Sequence, residues 1–184
     1  FDGDDGKYHD NVTASPDHRY GCSGIDGVSF GPRFGSSTGP QLHTVAYGIY
    51  GNTARSDNDH QVLLQYDISD WTHLARPLVE SAPHHSGPGV VHGKYFVRTG
   101  NTRYGVQNLA YDAVQQRWFM GVYAGNKAGF PNYSMFAVDA GAAPMQGDLV
   151  GVRAQDPGQW ERGQLLPLAD AGLRDAATGI RGWN

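Results

Sequence analysis

The sequence predicts an all-β protein of the β-propeller type, because related segments recur in it at nearly even spacing. Three similar segments begin at Gly24, Gly105 and Gly179, about 75 to 80 positions apart. Two further pairs match between them: Ala46–Asn52 with Met120–Asn126, and Val62–Asp67 with Ser134–Asp139. Self-similarity at a fixed period indicates a repeat architecture, and the repeated unit here is a set of strands.

The repeat also predicts the domain organisation. Propellers set four-stranded blades around an axis, typically four to eight of them. We expect one partial propeller domain over 1–184, with a lead-in at 1–19, a first blade at 20–99, a second at 100–178 and the start of a third at 179–184. Two blades do not close a ring, so the remaining blades come from the rest of the protein or from another chain. A complete β-sandwich of about eight strands is the alternative fold.

Each blade is predicted from short runs of apolar and β-branched residues between turn formers. In the first blade the predicted strands are Ile25–Phe30, Leu42–Tyr50, Gln61–Asp67 and Lys94–Thr99, with short helical character in the long connection 71–88. In the second, a strand from Gly105 is followed by a tight turn at Asp112–Gln116. The later strands are Trp118–Tyr123, Tyr133–Asp139, a weaker Asp148–Arg153 and Leu165–Leu168, and Ile180–Asn184 begins the third blade.

Composition excludes several classes of protein. The chain carries 14 Lys and Arg against 18 Asp and Glu, a net charge of -4, which argues against a nucleic-acid footprint. Cys22 is the single cysteine, so no disulfide forms within the chain. No apolar run reaches the roughly 18 residues of a membrane span. We expect neither nucleic acid nor membrane as a partner.

Propeller topology predicts which loops share a face. The loop before each first strand and the loop between the second and third strands emerge together, so we expect Arg55, Tyr104 and Lys127 on one rim. Sites on scaffolds of this kind gather loops from several repeats. The opposite face carries quieter turn segments such as 31–37.

The densest polar cluster is 100–108. A cation beside a tyrosine favours the phenolate, so Arg103 predicts that Tyr104 can act as general base or acid. Gln107 and Asn108 could bind a carboxylate. The alternative is a turn whose side chains satisfy its own backbone.

A second cluster covers 55–60, where His60 could transfer protons and Asp57, Asn58 and Asp59 could hold a cation. This alternation resembles part of a calcium loop, although the glycine and distal glutamate of an EF-hand are missing. A third cluster contains His84, His85 and His92, in which His85 is a candidate acid or base. Adjacent histidines on an extended chain point apart, so a zinc site there needs distant ligands. We expect no required cofactor and leave a structural calcium or zinc ion open.

Four stretches carry a resemblance to a known family: Cys22–Val28, Asp57–Leu64, Tyr104–Leu109 and Phe130–Tyr133. Over residues 20–140 they resemble secreted seven-bladed propellers that act on acidic polysaccharides, namely ulvan lyases and the related rhamnose–glucuronate lyases and hydrolases. The resemblance implies a secreted or periplasmic polysaccharide lyase whose substrate is an acidic polysaccharide. It also implies β-elimination at a uronic acid.

That elimination needs a group that neutralises the carboxylate, a base for the C5 proton and an acid for the leaving oxygen. Arg103, with Gln107 and Asn108, fits the first role, and Tyr104, His60 or His85 fits the others. The substrate-binding candidates share a polar side chain in a predicted rim loop: Arg19, Tyr20, Arg55, Asn58, Gln107, Asn108, Lys127, Asn132 and Tyr133. The rivals are a propeller hydrolase, which needs two carboxylates, and a non-catalytic sugar-binding propeller.

Overall fold

The structure is a computed structural model, and it describes residues 25–47, 52–77, 79–81, 92–151 and 162–184. Within these residues the chain forms eleven strands and one 3₁₀ turn, Trp71–Leu74. The predicted all-β class is therefore confirmed, and the propeller arrangement stays a prediction. The 3₁₀ turn lies at the start of the long connection where short helical character was expected.

The first sheet has six strands in the order β1-β2-β3-β4-β9-β8. Its strands are β1 (Ile25–Gly31), β2 (Leu42–Tyr47), β3 (His60–Tyr66), β4 (Gly93–Arg98), β8 (Met145–Asp148) and β9 (Arg162–Leu166). Strands β1 to β4 form an antiparallel meander. Strand β9 then pairs in parallel with β4, and β8 pairs antiparallel with β9.

The second sheet is the antiparallel meander β5 (Thr102–Asp112), β6 (Arg117–Ala124) and β7 (Met135–Asp139). The short pair β10 (Leu173–Arg174) and β11 (Arg181–Gly182) lies beside it, joined to β7 through an isolated bridge between Met135 and Trp183. The repeat seen in the sequence therefore corresponds to two meanders, β1-β2-β3 and β5-β6-β7.

The strands of the first meander fall within one or two residues of their predicted bounds where the structure describes them; residues 48–51 of the predicted second strand and its following loop lie outside that part. The turn predicted at Asp112–Gln116 closes the β5–β6 hairpin. The Asp112 carboxylate accepts hydrogen bonds from the backbone N–H groups of Val114 and Gln115. Gln116 adopts a left-handed φ of 51°.

The last strands pair differently from the expected order. We expected the strands near Asp148 and Leu165 to complete the second repeat, but β8 and β9 extend the first sheet beyond β4. The open edge of β4 provides the backbone partners for β9. Strand β9 ends at Leu166, because the next residue, Pro167, has no N–H to donate to the ladder. The segment expected to begin a third blade, at 180–184, instead lies along β7.

The two sheets share one apolar core. It joins Leu63, Tyr95 and Val97 of the first sheet to Trp118, Met120 and other buried residues of the second. Two glycines of β1 make the close approach possible. A Cβ on Gly27 would lie 3.1 Å from the Leu109 Cβ, and one on Gly31 would lie 2.4 Å from the Trp118 ring.

The sheets do not present equivalent faces to each other. Tyr111 and Trp118 are a cross-strand ring pair, 5.1 Å between centroids, whose rings lie against Gly31 of the first sheet. The equivalent pair in the first sheet is Phe30 and His43, also cross-strand partners, with centroids 5.2 Å apart. That pair lies on the opposite face of β1 from Gly31, and Phe30 is 52% exposed. The face of the first sheet that contacts the second is therefore not the face that carries the first sheet's own ring pair. We call this arrangement head-to-tail stacking.

Candidate functional site

Three loops meet at one end of the sheets, and we call this place the rim: 52–59 between β2 and β3, 99–101 between β4 and β5, and 125–134 between β6 and β7. The backbone N–H groups of Thr99 and Gly100 donate to the Asp59 carbonyl at 3.2 and 3.1 Å. A Cβ on Gly125 would lie 2.2 Å from the Asn101 carbonyl oxygen. The loops that topology predicted on one face thus touch through their backbones.

Two ion pairs hold the rim together. Lys127 Nζ donates to Asp59 Oδ2 and to the Arg55 carbonyl, both at 2.6 Å. Arg55 binds Asp57 with its Nε and Nη2 at 2.8 and 2.7 Å. The side chains of Lys127 and Asp59 are only 13% and 6% exposed. Two cations predicted to bind substrate, Arg55 and Lys127, are therefore already neutralised by acids of the same chain.

Opposing effects act on the pKa of Asp59. Burial raises the pKa of its carboxyl above the ordinary value, while the hydrogen bond and charge of Lys127 and the charge of Arg98 act in the other direction. Its Oδ1 atom is shielded from solvent and has no hydrogen-bond partner in the structure. Loss of the lysine would leave this carboxyl without its main compensation.

His60 is placed where it cannot act as a surface proton carrier. It is the first residue of β3, is 2% exposed, and pairs across the ladder with Arg98. Burial, and then the Arg98 charge, lower the pKa of His60 to about 4, so the ring is neutral near pH 7. The imidazole is therefore shielded from molecules in solution.

The link from β4 to β5 is fixed by Gln61. Its Nε2 atom donates to Thr99 Oγ1 at 2.9 Å and to Thr102 Oγ1 at 3.0 Å, and all three side chains are buried. Because buried amides that are hydrogen-bonded lock their neighbours in place, this contact sets where β5 begins. It therefore positions the next residues, Arg103 and Tyr104.

Tyr104 lies on an irregular part of β5, where the register shifts between Thr102 and Val106. Gly105 takes a left-handed φ of 81° there, a conformation that suits glycine at a bulge. The Tyr104 ring makes an edge contact with Tyr123, at 5.8 Å between centroids. These two tyrosines are 53% and 57% exposed, and we call them the tyrosine pair.

The predicted polar residues near Tyr104 in the chain are exposed to solvent or donate a hydrogen bond to the Tyr104 backbone. Arg103 and Asn108 are exposed, and Gln107 Nε2 donates to the Tyr104 carbonyl at 3.3 Å. Asn108 lies beside Gly121, on the side of β5 away from Leu109. Of the predicted group, Gln107 contacts the Tyr104 backbone, Asn108 lies beside Gly121, and Arg103 is exposed.

The remaining predicted ligands have structural contacts. Asn132, at φ 51°, accepts from the Lys127 N–H and donates to the carbonyls of Lys127 and Phe130, so it closes its own loop. Tyr133 is 7% exposed and packs in the core against Phe136. Asn58 is 1% exposed. Arg19, Tyr20 and His85 lie outside the described residues.

The described part of the chain contains no group of three His, Cys, Asp or Glu side chains arranged to hold a metal ion. In that same part, no helix has the length and apolar character needed to cross a membrane. Asp57 and Asp59, which resemble part of a calcium loop in sequence, have Arg55 and Lys127 as their partners.

Sequence reasoning missed two arginines beside the rim. Arg98 ends β4, and with Arg181 it lines a cleft of about 290 Å³. The signal was present in the sequence, because Arg98 directly follows the apolar run Tyr95-Phe96-Val97, where a charge at the end of a buried strand is unusual. Tyr123 was also missed, because it ends the predicted strand Trp118–Tyr123 and lies in no predicted rim loop.

Comparisons with protein-family models, with curated proteins and with solved structures find no match to this chain.

Proposed function

We propose that the chain forms part of a β-propeller that binds an acidic polysaccharide beside its rim and cleaves it by β-elimination at a uronic acid. The observation that carries the proposal is the exposed tyrosine pair at the end of β5 that leaves the rim. Arg103, which is also exposed, directly precedes Tyr104 in the chain. The sequence resemblance to ulvan and rhamnose–glucuronate lyases supplies the substrate class and a seven-bladed ring.

The head-to-tail stacking supports the propeller over a sandwich of two equivalent faces. The second sheet offers its ring pair, Tyr111 and Trp118, to the face of the first sheet that carries Gly31. Repeating one such contact generates either a closed ring or an open stack. In a ring, Phe30 and His43 would contact a further sheet in the same way.

The tyrosine pair has the form of a sugar-binding platform. Exposed aromatic rings present a large apolar surface with a polar tip at low entropic cost, because each ring has only two rotatable side-chain bonds. Arg103, exposed one position before Tyr104, adds a cation for the carboxylate of a uronic acid. A uronate could therefore stack on one ring while its charge faces the guanidinium.

In the proposed reaction the carboxylate is neutralised first, which makes the C5 proton more acidic. The Tyr104 oxygen, as phenolate, then takes the C5 proton, the bond from C4 to the leaving oxygen breaks, and a C4–C5 double bond forms. The phenol formed gives that proton to the leaving oxygen and returns to phenolate, so atoms and charge balance. We assign Tyr104 to the base, since His60 is shielded inside the rim and His85 lies outside the described residues.

The test is an assay for the unsaturated, ultraviolet-absorbing product with ulvan and with rhamnose–glucuronate oligosaccharides. We expect Tyr104→Phe to lower the rate by about 10²-fold or more, in the range of a lost general base. Tyr123→Phe is the matched control, because it removes a hydroxyl from the partner ring and keeps the edge contact. Full product formation by Tyr104→Phe would remove Tyr104 from the mechanism.

The second candidate is a propeller that binds the same polysaccharide without cleaving it. It is favoured by the ion pairs of the rim, where Arg55 and Lys127 are occupied by Asp57 and Asp59. The same pairing weighs against a hydrolase, which needs two carboxylates available to the substrate. Product analysis separates the three: an unsaturated end for a lyase, a saturated reducing end for a hydrolase, and unchanged polymer with saturable binding for a lectin.

A further inference from the structure

A cleft of about 290 Å³ opens where β4 and β9 end beside the β10–β11 turn. Its walls carry both apolar and cationic side chains, namely Arg98, Leu166, Leu168, Thr178, Ile180 and Arg181. The volume is at the small end of the range for ligand sites, about 300–1,000 Å³. It suits one small charged unit rather than an extended chain.

Arg98 is a half-buried cation that forms no ion pair with an acid in the described part of the chain. Among the described residues, no carboxylate oxygen lies within ion-pair distance of its guanidinium, and its Nε atom is shielded from solvent with no hydrogen-bond partner. The Arg98 charge acts to lower the pKa of Asp59, but the Oδ2 oxygen of Asp59 is bound by Lys127. Leaving a desolvated donor and charge unmatched is costly, so the site is built to receive an anion.

The other wall supplies a second cation whose partner is weak. Arg181 Nη2 lies 2.5 Å from Asp170 Oδ1, but the Asp170 side chain is 88% exposed, against 29% for Arg181. Exposed ion pairs contribute little, so an incoming anion can compete for Arg181. Asp175 lies in the turn between β10 and β11. Its carboxylate accepts hydrogen bonds from the Thr178 hydroxyl and N–H, both at 2.7 Å.

We propose that this cleft binds the carboxylate of a single uronic acid unit, with Arg98 and Arg181 on its two oxygens and the apolar wall of Leu166, Leu168 and Ile180 against the sugar ring. Each carboxylate oxygen can accept a charge-assisted hydrogen bond from a terminal guanidinium nitrogen of one of the two arginines. The choice of a uronic acid rests on the proposed function; the anion site itself rests on the two arginines.

The experiment is an NMR titration of the ¹⁵N-labelled chain with sodium glucuronate, with glucose as the neutral probe and inorganic sulfate as the competing anion. We expect saturable shifts of the Gly179 and Ile180 amides with glucuronate, none with glucose, and weaker shifts with sulfate. Arg98→Gln should raise the dissociation constant about tenfold or more, as for a lost charge-assisted hydrogen bond. Arg181→Gln should raise it about threefold, since its charge is shared with Asp170.

Arg162→Gln is the matched control, because Arg162 lies on β9 with its side chain 62% exposed and paired to Asp148; its affinity should equal that of the wild type. Unchanged binding by Arg98→Gln, equal shifts with glucose, or tighter binding of sulfate would each overturn the proposal. If Arg98→Gln gives no folded spectrum, Arg98→Lys decides. It keeps the charge but lacks the planar edge, and should bind about fivefold more weakly.

The two proposals fail separately. Glucuronate binding that depends on Arg98, with no unsaturated product from any uronate polymer, would defeat the lyase and leave this site standing. Product formation without saturable shifts at Gly179 would defeat this site and leave the lyase standing.

Discussion

Lys127 bridges two loops that are 68 positions apart in the chain, donating from one ammonium to the Asp59 carboxylate and to the Arg55 carbonyl. The side chains of Lys127 and Asp59 are largely buried. The contact connects the first and second meanders at the rim, so it supports the fold. It also pairs the Lys127 charge with an acid of the same chain.

Lys127→Met should destabilise the protein by about 3–5 kcal/mol, since it leaves a buried carboxylate without its partner. Urea unfolding at pH 7 measures the change. The control is Arg162→Gln, which breaks the exposed pair with Asp148 and should cost no more than about 1 kcal/mol. The double variant Asp59→Asn/Lys127→Met should be more stable than Lys127→Met alone. A Lys127→Met protein as stable as the wild type would mean that the pair does not form.

Stability should depend on pH through His60. Its folded-state pKa is about 4, against an ordinary value of 6.5. Above pH 6.5 the ring is neutral in both states, and stability is complete. As pH falls from 6.5 to about 4 the unfolded chain takes up a proton that the folded chain does not, so stability is lost by up to about 3 kcal/mol.

Urea unfolding of the wild type and of His60→Gln at pH 7 and pH 4.5 isolates that loss, because all other groups titrate in both proteins. The wild type should lose about 2–3 kcal/mol more than the variant over this window. Parallel pH profiles would show that the ring is not buried as described.

Gly31→Ala tests the contact between the two sheets. The added Cβ would lie 2.4 Å from the Trp118 ring and 2.9 Å from Tyr111 Cγ, so we expect a loss of about 1–3 kcal/mol or more from overpacking. Gly141→Ala is the control, because a Cβ there meets nothing within 4 Å. Thermal unfolding compares them, and equal midpoints would contradict the stacking of β1 on β6.

Gln65→Leu tests the polar contact inside the core. The Gln65 side chain accepts from the Phe34 N–H at 3.1 Å and donates to the Pro32 carbonyl and Thr44 Oγ1, both at 3.0 Å. Each buried group left unpaired costs about 1–3 kcal/mol, so a total of about 3 kcal/mol or more is expected in urea unfolding. Gln146→Leu, exposed on β8, should stay within about 0.5 kcal/mol. A neutral Gln65→Leu would mean that water replaces the amide.

The strands were predictable from sequence because their signals are local. Apolar and β-branched runs between glycine, proline and Asx turns define β1 to β7 to within a few residues, and the repeat relates β1-β2-β3 to β5-β6-β7. The pairing of β8 and β9 was not predictable in this way. A parallel ladder with β4 joins residues nearly 70 positions apart, and no local pattern encodes that partner.

The site was predictable in its location and less so in its chemistry. Topology placed 52–59 and 125–134 together, as the structure does. It could not show that Lys127 would be matched by Asp59, because ion pairing depends on side-chain geometry. Arg98 was detectable as a charge after the apolar run Tyr95-Phe96-Val97, but its position in a cleft with Arg181 depends on the same side-chain geometry.

The unlike faces of the two sheets give the molecule a direction. The first sheet leaves the Phe30 and His43 rings on its face away from the second sheet, and the second sheet leaves Asn108 and Gly121 on its own outer side. If the same contact repeats in further sheets, as the proposed ring requires, the series ends only where the last sheet meets the first. Where that meeting fails, as in a truncated or poorly matched variant, we expect open-ended filaments of increasing length rather than defined oligomers.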